Sequence, residues 1–174
     1  VTTPYVDPQS VHNPATGTSP PASWGDTVRD DLEFLIAPPS VKANRTASQS
    51  VAASSWTAIE FTAADSWDTD AFHSTTTNPS RLTVPTGLGG RYVAIAQLEM
   101  AAGTNTRALR LDINATSTIR YFDFYLSTSN VWVANGVLEV ALAAGDYVEL
   151  EAYQASAGAL NVTAASLALR WVAR

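Results

Sequence analysis

The sequence predicts an all-β domain, an antiparallel sandwich or barrel, and three observations carry that prediction. Beyond Ser40 the apolar residues recur with a period of two, clusters of turn-forming residues separate the runs at regular spacing, and no apolar pattern of helical period follows. With 174 residues, 46% of them hydrophobic, the chain is of single-domain size. A chain of this length buries enough apolar surface to fold without disulfides or a structural metal, which suits the absence of Cys. That absence also excludes thiol catalysis and Cys-based zinc sites.

Charged residues make up only 15% of the chain, against about 25% in ordinary globular proteins, so the surface is built largely from neutral polar side chains and Ala. The net charge of −6 argues against binding to phosphate backbones and anionic lipids, where affinity comes from clustered Lys and Arg. No nucleic acid and no membrane is expected as a partner. The first residues have neither a basic nor an apolar signal region, and no run approaches eighteen apolar residues.

Seven of the nine prolines fall within the first 39 residues, which divides the chain into an arm over 1–22, a helical stretch over 23–39 and a β domain over 40–174. The prolines of the arm fix φ and remove donors, so it is expected to run extended over a surface. A solvated tail is the alternative, but a tail has no use for Tyr5, Val6 and Val11. From Ser23 the spacing predicts a helix of about thirteen residues. Ser23 caps it, Asp26 stands three residues on in the position of a capping-box acid, and Pro38-Pro39 ends it. Val28, Leu32 and Leu35 form one stripe, available either to the chain's own domain or to other copies of the helix.

The strands follow in order. Alternation marks 59–61, 109–113 and 148–152 as half-buried strands, and further candidates are 72–75, 81–84, 92–100, 119–126, 131–133, 137–142 and 160–172. Asn135-Gly136 between Val-rich runs is the strongest hairpin signal. About ten short strands result. The runs 92–98 and 119–126 carry apolar residues on both faces, which a monomer would leave partly exposed.

Residues 82–96, LTVPTGLGGRYVAIA, resemble the strand, proline turn, glycine and aromatic strand of the tumour necrosis factor and complement globular-head superfamily. Residues 138–150, LEVALAAGDYVEL, resemble its penultimate hairpin, and 166–172 its final apolar strand. The stretches around Asp65 to Ser74 and Asn78 to Arg81 are similar to versions of this domain in bacteriophage virion proteins. Thr27-Val-Arg-Asp-Asp-Leu-Glu-Phe-Leu35 resembles a helix that precedes such domains in phage structural proteins, with Asp31 where Asn is usual. The resemblance implies a ten-stranded jelly roll that forms homotrimers and is carried on a phage particle.

No enzyme site is expected. The two histidines, His12 and His73, lie outside any Gly-x-Ser-x-Gly, His-x-x-x-His or P-loop pattern, and no cofactor is called for. Asp65, Asp68 and Asp70 have the density of carboxylates that calcium favours, but the EF-hand glycine and distal Glu are missing, and a solvated loop accounts for them more simply. Glu149 and Glu151 fall on one strand face about 7 Å apart, a spacing glycosidases also use, with Tyr147 and Tyr153 beside them. A flat sheet face offers no cleft, so this face is expected to meet a neighbouring subunit. Tyr147, Glu149, Tyr153, Tyr121 and Tyr125 would then line the trimer interface, with Arg107, Arg110 and Arg120 as opposite charges. Trp56, Trp67, Trp132 and Trp171 are expected in the core or at the seam. The Asn-x-Ser/Thr triplets at Asn44, Asn114 and Asn161 are chance products of a Ser/Thr-rich chain.

The expectation is a phage structural protein on the capsid exterior, a trimeric decoration protein whose arm grips the major capsid protein through Tyr5, Val6 and Val11. The alternative is a tail fibre or tail tip module that recognises a host surface glycan. A tail fibre needs a long shaft, whereas one short helix is present here.

Overall fold

The computed structural model describes residues 23–103, 105–124 and 131–173, with the backbone alone for 23–24 and 116–124. Among these residues there is one helix, α1 (Ser23–Ile36), followed by eleven strands. They are β1 (Ser40–Arg45), β2 (Gln49–Val51), β3 (Thr57–Ala58), β4 (Ala63–Asp68), β5 (Arg81–Thr83), β6 (Gly90–Met100), β7 (Arg107–Ile113), β8 (Thr116–Phe124), β9 (Trp132–Leu142), β10 (Tyr147–Gln154) and β11 (Leu160–Ala173). A six-stranded sheet runs β4-β1-β11-β6-β9, with β2 also on β11; a five-stranded sheet runs β3-β10-β7-β8, with β5 also on β10. Every pairing is antiparallel. The architecture is the expected jelly-roll sandwich.

Alternation builds the core. Along β6, Tyr92, Ala94, Ala96, Leu98 and Met100 turn inward, and on the facing sheet Leu109, Leu111, Val148, Leu150 and Ala152 meet them. The Tyr92 hydroxyl donates to the Leu88 carbonyl, and burial, reinforced by the charge of Asp70, pushes it well above its ordinary pKa. Helix α1 closes one edge through Phe34, whose ring meets Trp171 edge-on at 4.5 Å. Gly90 sits where an added Cβ would lie 2.5 Å from Trp171 Nε1 and 2.6 Å from the Ala173 carbonyl, so no side chain fits there without moving the last strand.

Several sequence expectations need correction. Asn135-Gly136 is not a hairpin: the 11-residue β9 runs straight through it, with Asn135 opposite Gln97 and Gly136 opposite Ala96. A two-residue type I′ turn needs positive φ at both positions, and neither residue has it. The turn of that kind lies at Asn114 and Ala115, with φ of 58° and 50°, between Ile113 and its cross-strand partner Thr116. Residues 72–75 form no strand, and 59–61 lie just beyond the short β3. The strands β1, β2 and β4 were not expected.

Ala115 occupies the left-handed region without the freedom of glycine. Ala115→Gly is therefore expected to stabilise the domain by about 0.5–1 kcal/mol, read as a higher urea midpoint at unchanged slope. The adjacent Asn114 holds the turn in place, its amide donating to Asp146 Oδ1 at 2.8 Å and its carbonyl accepting from the Tyr147 N–H at 2.9 Å.

Candidate interaction surface

The outward side chains of the five-stranded sheet form two linked units along β10. Glu149 accepts from Ser80 Oγ at 2.6 Å and from Arg81 Nε at 3.3 Å, and the Arg81 guanidinium lies 4.0 Å above the Tyr147 ring. Glu151 pairs with Arg110, whose guanidinium lies 4.4 Å from the Trp56 ring, which in turn meets Tyr153 at 5.3 Å. Each carboxylate has its own arginine, and each arginine lies on an aromatic ring. The two glutamates do share a face, but they are locked in ion pairs within the chain. Tyr147, Glu149 and Tyr153 thus have intramolecular partners where a subunit contact was expected, and Arg110 gives its charge to Glu151. Arg107 is buried, donates to the Gly103 carbonyl, and has its pKa lowered by that burial. The side chains of Tyr121 and Arg120, together with Tyr125 and the arm residues Tyr5, Val6 and Val11, lie outside the described residues.

The carboxylates around His73 are likewise engaged. Asp65 accepts from His73 Nδ1 at 2.9 Å, and His73 Nε2 lies 3.2 Å from the Pro79 carbonyl, so both ring nitrogens of this buried histidine face acceptors. Asp68 accepts from the backbone N–H groups of Asp70, Phe72 and His73 at 3.3, 3.0 and 2.9 Å. Asp70 accepts from Thr69 Oγ1 at 2.6 Å. This hydrogen bonding organises the 65–73 segment. Asp68→Ala is expected to strand three backbone donors and cost about 2–4 kcal/mol, visible in urea unfolding. Millimolar calcium is expected to leave the melting temperature of the native chain unchanged; a concentration-dependent rise would return these carboxylates to the role of ligands.

The six-stranded sheet presents a different surface. Register places Val137 opposite Ile95, Ile95 opposite Ala168, Ala168 opposite Lys42 and Lys42 opposite Trp67, one continuous row across β9, β6, β11, β1 and β4. Its large members are exposed: Val137 62%, Ile95 48% and Trp67 48%. The next row, Asn135, Gln97, Ser166 and Asn44, is wholly polar and uncharged. An apolar groove of ≈ 360 Å³ flanks the first row between Ile36, Pro38, Trp67, Val93 and Ile95. Val133 and Val172 add further exposed apolar area on the same sheet. Exposed apolar surface of this kind is characteristic of interaction sites.

Helix α1 had two expected uses for its stripe, the chain's own domain or other copies of the helix. Leu32 and Leu35 do not pack on the domain, being 52% and 61% exposed, and Val28 is half-buried; the face turned inward carries Phe34 and Asp31. The sequence pattern does not single out Phe34, because Leu32 and Leu35 make the more regular stripe. The trace of the apolar sheet row was already present in the doubly apolar run 92–98, which singled out the right strand without showing its neighbours.

The order of strands and the two antiparallel sheets define a jelly roll. Among solved structures, the chain is similar to the globular domain of zebrafish complement 1qA, at 17% identity and a TM-score of 0.56, covering 78% of this chain and 98% of that one. It is also similar to murine APRIL, at 12% identity and a TM-score of 0.54 over 76% and 98% of the two chains. The PRD1 vertex protein P5 matches at 14% identity and a TM-score of 0.59 over 77% and 97%. At these identities the likeness is one of fold. No family model and no curated protein sequence matches the chain.

Proposed function

We propose that this chain is a homotrimeric structural protein of a phage particle, a decoration protein that sits on the capsid exterior and holds the major capsid protein through its N-terminal arm. The observation that carries the reading is the exposed apolar row Val137, Ile95, Ala168 and Trp67, which needs a partner. Closing a ring of three copies on this face would bury its apolar residues beside the neutral amides of one flanking row, with Lys42 in the row itself and Glu139 and Arg170 in the other flanking row as the charges it has to accommodate. The outer face of the opposite sheet stays outward, its charges already satisfied within the chain. Likeness in fold to a vertex protein supports a place in a virion, and the short Pro-rich arm suits a clamp, because a pre-extended segment loses less entropy on docking.

Immunogold imaging of purified virions tests the location. Label distributed over the head lattice is the expected result. Label confined to the tail would replace this reading with the receptor-binding one, in which the same trimer recognises a host glycan.

A further inference from the structure

We infer that the helices of the three copies pack on one another along Val28, Leu32 and Leu35, a three-helix clasp that joins the sandwiches; this rests on the trimer proposed above. The stripe is spaced four residues and then three, the repeat with which one helix meets another along a seam. It is separate from the face already used, where Phe34 meets Trp171 within the chain. The stripe is exposed at Leu32 and Leu35, and Ile36 extends it.

The charges fit a second copy of the same helix. At about 100° per residue, Asp26, Asp30 and Glu33 lie about 120–180° from the centre of the stripe, so three parallel helices can close on it while their acids point outward. Asp31 and Arg29 border it on opposite sides: Asp31 is buried against the chain's own domain, and Arg29 is held back by Asp26 and Asp30 at 3.2 Å and Glu33 at 4.0 Å. These carboxylates raise its pKa, Asp30 foremost through its hydrogen bond, so Arg29 keeps its charge and its partners.

The stripe is also continuous with the surface proposed as the seam. A groove of ≈ 290 Å³ lined by Leu35, Pro38 and Val172 leads from the helix to the sheet, and Ile36 and Pro38 line the groove that reaches Trp67 and Ile95. The surface is therefore continuous from helix to sheet and mostly apolar, with Arg170, which lines both grooves, as its charged member. A 14-residue helix is too short to associate alone, but the sandwiches to which it is joined hold three copies at high effective concentration.

Because the chain has no Cys, a single introduced thiol reports on contact without background. Leu32→Cys is expected to form a disulfide-linked dimer, two of the three chains, on the order of tenfold or more faster than Asp30→Cys on the outward face. Both variants alter exposed or half-buried positions, and light scattering before oxidation establishes that each is trimeric. Equal cross-linking of the two variants, or none at Leu32→Cys within an intact trimer, overturns the clasp and leaves the trimer standing. A monomer mass for the unmodified chain overturns both.

Discussion

Replacing Ile95 and Val137 together by Asp is expected to convert the proposed trimer into folded monomers. The two residues are cross-strand neighbours on the outside of the six-stranded sheet, and the residues flanking Ile95 on its strand, Ala94 and Ala96, fill the core instead. Burying an Ile or Val side chain contributes about 1.5–3 kcal/mol, and a carboxylate left without a partner in a dry seam adds a further penalty of several kcal/mol. A closed trimer repeats that cost at three equivalent contacts. Even a loss of about 4 kcal/mol weakens association roughly a thousandfold. Light scattering at micromolar concentration should therefore return the mass of one chain, with the far-ultraviolet dichroism of the native protein, while Thr86→Asp in an exposed loop remains trimeric. A trimer mass for the double variant would remove this face as the seam.

The make-up of this face could be read only in part from the sequence. Period-two alternation identified the long strands because their inward residues are large and apolar, as with Leu109 and Leu111 on β7 or Val148 and Leu150 on β10. It failed at β1, where the inward positions are Val41, Ala43 and Arg45, two small or moderate residues and a cation. Arg45 is buried there because its guanidinium donates to the Glu60 and Ser48 carbonyls at 2.6 and 3.0 Å, a partnership between segments that no local pattern reveals. It failed again at β4, whose edge position lets Asp65 and Asp68 sit in a strand that reads as an acidic loop.

The turns show the same limit. Asn-Gly is a strong hairpin signal in isolation, but Gly136 lies within β9 opposite Ala96, and the ladder with β6 outweighs the local preference. The tight turn falls instead at Asn114 and Ala115, where the Asn side chain bonds to the neighbouring Asp146 turn and so stabilises a conformation that Ala alone disfavours. On the candidate surface, residue types were legible but pairings were not. Glu149, Glu151, Tyr147 and Tyr153 were correctly placed on one face, yet whether they serve a partner depended on Arg81 from β5, Arg110 from β7 and Trp56 from the segment before β3. Only the fold brings those three beside β10.

Removal of residues 1–22 is expected to leave a folded trimer that no longer decorates capsids. The core runs from Phe34 to Trp171, and helix α1 begins at Ser23, so no buried apolar residue of the described domain is lost with the arm. The arm itself holds Pro4, Pro8, Pro14, Pro20 and Pro21, which deny it a place in a sheet interior, while Tyr5, Val6 and Val11 are apolar residues with a use only against another surface. Each contributes on the order of 1–3 kcal/mol when buried. One arm is then a weak grip. Three arms on one trimer raise avidity by about 10²–10⁴ without any new kind of contact, which suits the proposed attachment to a lattice. The truncated trimer should therefore show capsid occupancy reduced by at least that factor in a sedimentation binding assay, with its melting temperature unchanged. Occupancy equal to that of the full chain would make the arm dispensable and shift attachment to the jelly roll, where the outer face of the five-stranded sheet, the side turned away from the proposed seam, would be the next surface to alter.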